Sequence, residues 1–304
     1  NKLIKLLLLI IRKTTGFNFI WMYIIYKYKL NNLYPLLSFE KGMSLCLSKL
    51  YFWIPDFQHK LMPEMFSKEE YLKRENIFNN IAYKTKNIVF SSDNALNSFE
   101  KFYPKSKANK FVLKFVSIIN IPSKEETIIN KKYFIICNQF WKHKNHIVVL
   151  KAINKLIKKG ITDIYFVFTG NMEDYRNPQH IEYLINYIKE NHLSNYINIT
   201  GFINRDEQIK LIANSIAVIQ PSMFEGWSTV VEDAKALSKL VIASNIPVHI
   251  EQLGNNAIYF DPLNEEALSE IILKLYDKKI IDVNYQYENQ IISFINSFNE
   301  IFLR

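Results

Sequence analysis

Short apolar runs alternate with longer segments of helical periodicity through residues 133–276. Each run has four to six residues, and the segments between them carry apolar residues at every third or fourth position. These patterns are typical of buried strands and of helices that pack on them. Because strands separated by helices pair in parallel, we predict an α/β fold with a doubly wound parallel sheet. The predicted strands are Tyr133–Cys137, Ile164–Thr169, Tyr196–Ile199, Ala217–Gln220, Leu240–Ala243 and Ala257–Phe260.

Helix ends in this region also carry sequence signals. Gly160 follows the first helical stripe and suits a C-terminal cap. Asn204 suits an N-cap, with Glu207 at the third helical position as in a capping box. Ser228 and Asn264 stand before the helices that follow the fourth and sixth strands.

The first half of the chain is less regular. Ser67 and Glu70 have the spacing of a capping box, which predicts a helix through about Tyr83. Apolar runs predict strands at Asn87–Phe90 and Phe111–Ile119.

The length of 304 residues is enough for two domains. The segment 121–127 is polar and irregular, as linkers are. We therefore predict an N-terminal domain at 1–122, a C-terminal domain at 128–285 and a C-terminal helix at 286–304.

Charge is unevenly distributed between the two halves. Residues 1–122 hold 19 lysines and arginines against 8 acidic residues, whereas residues 123–304 hold 19 against 21. The first thirty residues contain six basic residues and no acidic one, interleaved with aromatic and aliphatic residues. Such a segment suits an anionic membrane surface, nucleic acid, or a plain solvated helix face over a core. No nucleic-acid motif accompanies it, so we predict no nucleic-acid partner.

The two cysteines, Cys46 and Cys137, give neither a disulfide framework nor metal-ligand spacing, which suits a reducing cytoplasm. No apolar run reaches the ~18 residues that a membrane-spanning helix needs. We predict a cytoplasmic protein that associates peripherally with the inner membrane. The chain has no initiator Met and no signal-peptide pattern, as expected of a fragment or a processed form.

The stretch PSMFEGWSTVVEDAKALSK, residues 221–239, predicts a ligand site. Ligands of parallel sheets bind where strands end and helices begin. The backbone N–H groups of about residues 226–230 are expected to be free donors for a phosphate, and Gly226 would let the backbone approach it. Glu225 could then accept hydrogen bonds from sugar hydroxyls, and Asp233 could accept them from a ribose diol. A plain strand–loop–helix with solvated acids remains the alternative.

The segment MFEGWSTVVEDAKAL resembles the acidic motif of retaining GT-B glycosyltransferases, especially family 4 (group 1), as in bacterial polysaccharide synthesis. That motif usually reads Glu, seven residues, Glu, so Glu225 matches the first acid and Asp233, with a shorter side chain, matches the second. Glu232 is one residue out of register with that motif. The resemblance implies that Glu225 holds donor-sugar hydroxyls as a catalytic residue and that Asp233 holds the nucleotide ribose. It also implies donor contacts from the residues around them, Phe224, Gly226, Trp227, Ser228, Thr229 and Val230.

The segment CNQFWKHKNHIVVLKAI, residues 137–153, resembles the family's loop after the first strand of the donor domain, which offers an Arg and a Lys to the diphosphate. Lys144 matches that Lys and is implied to be catalytic. Gln139 stands in place of the Arg, and Lys142 or His143 could supply the missing charge. Surface or cap positions are the alternative for His143 and His146, and a metal pair is also open. No Asp-x-Asp triplet occurs, so no metal and no cofactor are expected.

Residues 247–262, PVHIEQLGNNAIYFDP, and two segments of the first half also resemble the family. In FWIPDFQHKLMPEMFS, Asp56 and His59 are candidates for contact with acceptor or donor, His59 as a catalytic residue; a capped turn is the alternative. The resemblance implies two Rossmann-like domains facing a cleft. The N-terminal domain is expected to be incomplete, since only Gly16 and Gly42 precede residue 160, too few for the family's first strand and glycine-rich loop.

The function that follows is transfer of a sugar, with retention, from a nucleotide sugar to a glycan or lipid-linked acceptor. Two alternatives stay open. One is a non-catalytic nucleotide-sugar-binding protein or inactive truncated transferase, which the apparent loss of the glycine-rich loop favours. The other is a nucleic-acid-binding protein, which only the basic first half favours.

Overall fold

A computed structural model describes residues 2–15, 17–43, 49–120, 129, 131–276 and 283–303, without the side chains of Lys2 and Lys5. The chain forms two compact units. The N-terminal unit comprises residues 1–114 and 294–304, and the C-terminal unit comprises residues 115–293. The predicted linker at 121–127 lies outside the described residues.

The N-terminal unit contains a four-stranded parallel sheet in the order β1-β2-β3-β4. Its strands are β1 (Asn32–Leu36), β2 (Lys49–Ile54), β3 (Asn87–Phe90) and β4 (Asn109–Val112). Its helices are α1 (Lys2–Thr15), α2 (Ile20–Tyr28), α3 (Gln58–Leu61), α4 (Lys68–Lys84) and α5 (Asp93–Phe102), with a 3₁₀ turn at Pro63–Met65. Alternate strand residues pack on the two faces: Phe52 and Phe90 contribute to one buried cluster, and Tyr51 and Val89 to the other.

The C-terminal unit contains a six-stranded parallel sheet in the order β10-β9-β8-β5-β6-β7. Its strands are β5 (Tyr133–Cys137), β6 (Tyr165–Thr169), β7 (Ile197–Gly201), β8 (Val218–Gln220), β9 (Val241–Ser244) and β10 (Ala257–Phe260). Strand order reverses direction at the β5–β8 pair, so the sheet is doubly wound as predicted. All five residues of β5 are buried, which explains why this strand is a continuous apolar run rather than an alternating one.

Helices cover both faces of this sheet. They are α6 (His146–Lys158), α7 (Gln179–Glu190), α8 (Arg205–Asn214), α9 (Thr229–Ala236), α10 (Pro247–Leu253) and α11 (Glu265–Tyr276), with 3₁₀ turns at Lys142–Lys144 and Ser194–Tyr196. The last helix, α12 (Tyr287–Phe302), packs through its C-terminal half on Tyr51 and Val89 of the N-terminal sheet instead. Phe134 and Ile136 of β5 pack with α6 and α11, whereas Ile135 and Cys137 pack with α8 and α9. The period of two along β5 thus feeds two separate cores.

The predicted helix ends are confirmed. Gly160 follows α6 with φ +83°, a conformation that favours glycine. Ser67 and Glu70 form a complete capping box at α4. Asn204 Oδ1 accepts from Glu207 N, Ser228 Oγ from Val231 N, and Asn264 Oδ1 from Ala267 N.

The predicted strand at Phe111–Ile119 is wrong in extent. The strand β4 ends at Val112, and residues 115–120 belong to the C-terminal unit, not to the N-terminal sheet. They leave the strand because their polar groups bind other elements: Trp227 Nε1 donates to Phe115 O at 2.9 Å, and Ser117 N donates to Tyr287 Oη at 2.7 Å. The helix α12 is divided between the two units, because residues 115–293 belong to the C-terminal unit and residues 294–304 to the N-terminal unit.

The helix α1 is amphipathic, and its apolar residues are largely exposed. The interpretation of the first thirty residues as a helix face over a core is therefore not met by α1, whereas Trp21 of α2 does pack against the buried cluster of the N-terminal unit. Over those same residues, helix length and hydropathy together never reach what a membrane span requires.

Candidate functional site

Two loops meet at the carboxyl edge of the C-terminal sheet. One follows β5 (residues 138–145) and the other follows β8 (residues 221–228), and these strands are neighbours. Met223 N donates to His143 O at 2.8 Å. The side-chain amide of Asn145 donates to Pro221 O at 3.1 Å and to Pro262 O at 2.7 Å. The two segments singled out in the sequence are thus held against each other by backbone-directed hydrogen bonds.

Gly170, at the end of β6, supports the first of these loops from its other side. Its φ is +141°, and a Cβ on it would lie 2.1 Å from Asn138 O. Only glycine fits here. Phe140 N donates to Asn171 O at 2.9 Å, which extends the contact between the loop after β5 and the loop after β6.

Lys144 and Glu225 form the central ion pair of the site. Lys144 Nζ lies 2.6 Å from Glu225 Oε1, and the two side chains are 16% and 8% exposed. Burial raises the pKa of the Glu225 carboxyl, but the charge and hydrogen bond of Lys144 outweigh it, so that pKa lies below its usual value. The Glu225 carboxylate is therefore ionised at neutral pH and lies beside the oppositely charged Lys144 ammonium group.

Gln220, the last residue of β8, holds Glu225 from beneath. Its side-chain amide nitrogen lies 3.0 Å from Glu225 Oε1 and 3.1 Å from Ser228 Oγ. Its carbonyl oxygen accepts from Asn138 Nδ2 at 2.9 Å. A buried amide thus links the end of β5, the Glu225 carboxylate and the start of α9, which fixes their relative positions.

The start of α9 differs from the expected row of free N–H donors. Ser228 N donates to Gln252 Oε1 at 3.1 Å, and Gln252 Nε2 donates back to Ser228 O at 2.9 Å. Ser228 is therefore not available to a phosphate, because a side chain of α10 already binds its backbone. Thr229 is exposed and Val230 half-buried at the first turn of α9, where a helix offers N–H groups without an intrahelical acceptor.

Asp233 is fully buried and already engaged, contrary to the expectation of a ribose-binding acid. Both of its oxygens accept from the guanidinium of Arg205, and Oδ1 also accepts from Ser117 Oγ. The adjacent Glu232 is equally occupied, by Lys235, Gln252 and Tyr287. In this structure both acids are structural partners within the unit, since a bidentate guanidinium saturates a carboxylate.

The two histidines of the first loop are buried rather than on the surface as one interpretation held. Burial, reinforced by the charge of Lys144, lowers the pKa of His143 to about 4. Burial lowers the pKa of His146 to about 3, and its ring stacks on Phe140 with centroids 4.3 Å apart. Across residues 2–15, 17–43, 49–120, 129, 131–276 and 283–303, no group of three or more potential ligands could hold a metal ion.

The remaining predicted donor residues lie around the pair. Gln139 and Lys142 are exposed on the first loop. Phe224, Gly226 and Trp227 are half-buried on the second. The Lys142 backbone N–H donates to Asp174 Oδ2 at 3.1 Å, which anchors the turn while leaving its side chain outside.

His59 and Asp56 lie in the N-terminal unit and are structural there. The His59 ring is fully buried among aromatic side chains, with Nε2 3.3 Å from Glu75 Oε2. Burial lowers its pKa to about 4. Asp56 pairs with Arg74 at 2.5 Å and accepts from Gln58 N. This burial contradicts a direct contact of His59 with substrate and agrees with Asp56 as the cap of a turn.

A family model, that of the glycosyl transferases group 1, matches residues 118–291, more than half of the chain. The chain belongs to this family. The O-antigen biosynthesis glycosyltransferase WclY from Escherichia coli is 28% identical to this chain over 143 residues, which are 47% of this chain and 36% of that protein. The chain spans less than half the length of the curated relatives that it matches.

Two solved structures show the fold of this family member. A glycosyltransferase from Rickettsia africae has a TM-score of 0.66 and 20% identity, over 91% of this chain and 74% of its own. Anabaena HepE in complex with UDP and glucose has a TM-score of 0.64 and 17% identity, over 82% of this chain and 72% of its own. The chain therefore has the GT-B fold that the resemblance implied.

Several residues of the site escaped the sequence interpretation. They are Ser117, Asn145, Arg205, Gln220, His249 and Gln252. Gln220 carries a weak signal, a polar residue at the end of a buried apolar run. His249 and Gln252 stand three apart, hence on one face of α10, but which helix they would support is a tertiary property.

Proposed function

We propose that this chain is a glycosyltransferase that takes a nucleotide sugar at the Lys144–Glu225 site. The observation that carries the proposal is the buried ion pair at the carboxyl edge of a doubly wound sheet, next to a helix start. A cation and a carboxylate at hydrogen-bond distance match the two ends of a sugar diphosphate. Lys144 would bind diphosphate oxygens, and Glu225 would accept hydrogen bonds from sugar hydroxyls.

The chemistry asked of these residues is electrostatic. When the bond between sugar and diphosphate breaks, negative charge grows on the leaving oxygen, and a fixed ammonium group stabilises that charge. Lys144 and Glu225 neutralise each other in this ion pair, so each side chain is held in place until a ligand separates them. Gln139 occupies the position at which the family offers an Arg, so this chain has no guanidinium there. Lys144 is therefore the main candidate cation of the loop after β5.

The finer assignments rest on the resemblance. We propose transfer with retention of configuration, a glycan or lipid-linked glycan as acceptor, and no metal. HepE, which shares the fold, has been crystallised with UDP and glucose, which supports a nucleotide-sugar ligand for this site. A non-catalytic nucleotide-sugar-binding protein is the second candidate, because the chain covers only part of its relatives' length.

The experiment is a thermal-shift panel of UDP- and GDP-linked hexoses on the full chain. A ligand at 100 times its dissociation constant stabilises by ~2.7 kcal/mol. Glu225→Ala should weaken binding of the nucleotide sugar more than that of the free nucleoside diphosphate, since only the sugar contacts are lost. Equal loss of both would indicate collapse of the loop, and absence of any stabilisation of wild type would refute the proposal.

Sugar transfer and its stereochemistry need a separate measurement. Release of nucleoside diphosphate with a new α-linked product from an α-linked donor would support retention. Binding without turnover, with a range of glycan acceptors, would favour the non-catalytic alternative.

We further propose that an anionic membrane surface is a partner of the N-terminal unit. Leu3, Leu6, Leu7 and Ile10 of α1 are 78%, 57%, 58% and 50% exposed. Basic residues stand on the same helix, which carries no acid. Apolar burial plus attraction of ~1 kcal/mol per basic residue would place such a helix on anionic lipid.

Vesicle sedimentation tests this partner. The full chain should sediment with vesicles containing anionic lipid, not with neutral ones, and less so as salt rises through ~0.1–0.5 M. Replacing Lys2, Lys5, Arg12 and Lys13 by Gln should reduce sedimentation. The matched control replaces four exposed lysines of the C-terminal unit, Lys132, Lys158, Lys189 and Lys210. Equal sedimentation of both variants, or no preference for anionic lipid, would contradict the proposal.

A further inference from the structure

A cavity opens at the amino edge of the C-terminal sheet, at the other end of β5 from the loop that carries Lys144. Its volume is about 350 Å³. The strands β5, β6 and β7 are parallel neighbours, so the residues that precede them meet at this edge. A strand as short as β5 spans roughly 15 Å, which separates the cavity from the Lys144–Glu225 pair. The cavity is therefore distinct from the site described above.

The polar lining of the cavity contains both donors and acceptors of hydrogen bonds. The lining side chains are exposed ones from the segments before β5, β6 and β7, namely Lys132, Thr162, Asp163 and Asn195. The Asp163 carboxylate accepts hydrogen bonds and the Lys132 ammonium group donates them. The Asn195 amide and the Thr162 hydroxyl do both. Because these groups are exposed, a ligand from solution reaches them without any rearrangement of the core.

Three tyrosines line the same cavity, and each is half-buried: Tyr165, Tyr196 and Tyr276. Tyr196 and Tyr276 pack against the buried cluster that includes α6 and α11, and Tyr165 packs against the cluster on the other face of the sheet. Lys131 Nζ lies 4.8 Å from the centroid of the Tyr165 ring. Since the core holds these side chains, the cavity offers ordered aromatic surface before a ligand arrives.

This combination of groups distinguishes between classes of ligand. A phosphate is bound by donors, and the Asp163 carboxylate would repel it. A lipid chain needs an apolar lining, whereas Ile164 is the one aliphatic residue that lines the cavity among the residues described. A sugar carries apolar C–H groups on the faces of its ring and hydroxyls around its edge. Those two surfaces match tyrosine rings and a mixed set of donors and acceptors.

We propose that this cavity binds a short segment of a neutral glycan, with sugar rings against the tyrosines and hydroxyls on Asp163 and Asn195. The volume is at the lower end of the ~300–1,000 Å³ of small-molecule sites, which suits a short oligosaccharide. The inference goes beyond the proposed sugar transfer. A glycan chain held at this edge stays attached to the protein while the Lys144–Glu225 site exchanges its nucleotide.

Two sets of variants test the two kinds of contact. Asp163→Ala combined with Asn195→Ala removes two exposed polar side chains, and we expect about tenfold weaker glycan binding. The matched control combines Glu182→Ala and Asn255→Ala, which are exposed outside the cavity, and should bind as wild type does. Tyr196→Leu should weaken binding because the ring is lost, whereas Tyr196→Phe keeps the ring and should retain most of the affinity.

The experiment titrates maltotriose, cellotriose, chitotriose and mannotriose into the full chain by calorimetry, with and without saturating UDP. At least one trisaccharide should bind, with the same affinity in the presence of UDP. Binding of none of the four, equal affinities of wild type and the Asp163/Asn195 variant, or displacement of the glycan by UDP would overturn the inference. Binding of inorganic phosphate that is lost in Lys132→Gln would identify an anion site and would also overturn it. The proposed function fails separately, because glycan binding in this cavity does not require that UDP binds.

Discussion

Removing one partner of the Lys144–Glu225 pair should destabilise the C-terminal unit more than removing both charges. In Lys144→Met, Glu225 remains 8% exposed and loses the cation 2.6 Å from its Oε1. Breaking a buried ion pair in this way costs roughly 3–5 kcal/mol. Because Lys144 itself is 16% exposed, water can partly replace it, and we expect about 3 kcal/mol. Adding Glu225→Gln removes the uncompensated charge and keeps an acceptor for Gln220.

Urea unfolding at pH 7 measures these free energies, with the tryptophans Trp141 and Trp227 as probes inside the unit. The double variant should be more stable than Lys144→Met, with a coupling of ~0.5–3 kcal/mol. The pKa of Glu225 is depressed in the folded state, so its contribution is present above the unfolded pKa and lost as pH falls through the folded pKa. The excess cost of Lys144→Met should therefore shrink toward acid. Additive effects of the two substitutions, unchanged by pH, would refute the reasoning.

Two further predictions concern stability. Four buried histidines have pKa values of about 3 or 4 in the folded chain: His59, His143, His146 and His249. The unfolded chain binds a proton at each of these histidines near pH 6.5, so the free energy of unfolding should be highest above that pH. It should fall toward pH 4 by up to ~1.4 kcal/mol per pH unit for each histidine. Urea midpoints that are the same at pH 7 and pH 5 would contradict this. Arg205→Gln should lower the free energy of unfolding by about 3 kcal/mol, because Asp233 stays buried without its guanidinium partner. The control Asp206→Asn, at the exposed neighbouring position, should lower it by less than ~0.5 kcal/mol. Equal urea midpoints of the two variants would contradict this prediction.

The C-terminal sheet could be predicted because its information is local. The five apolar residues of β5 and the caps at Asn204 and Ser228 act within a few positions of themselves. The strand predicted at Phe111–Ile119 failed for the opposite reason. Its second half is apolar enough for a sheet, but it binds Trp227 and Tyr287 from positions more than a hundred residues away.

The candidate site divides in the same way. Lys144 and Glu225 are 81 residues apart, and the motifs around them were sufficient to predict that both belong to one site. The fate of Asp233 was not predictable, since its partner is chosen by where α8 places Arg205. The same holds for Gln252, which occupies a backbone donor that a strand–loop–helix pattern leaves free.

The most direct test of the account is the affinity of Lys144→Ala for a nucleoside diphosphate and for the matching nucleoside, measured by calorimetry beside wild type. If Lys144 binds the diphosphate, the variant should lose ~1.5–3 kcal/mol with the diphosphate, about 10- to 100-fold, and almost nothing with the nucleoside. Lys158→Ala, an exposed lysine at the far end of α6, serves as the matched control for a general change of charge. Unchanged affinity of Lys144→Ala for the diphosphate would contradict the central claim that this ion pair is the nucleotide-sugar site.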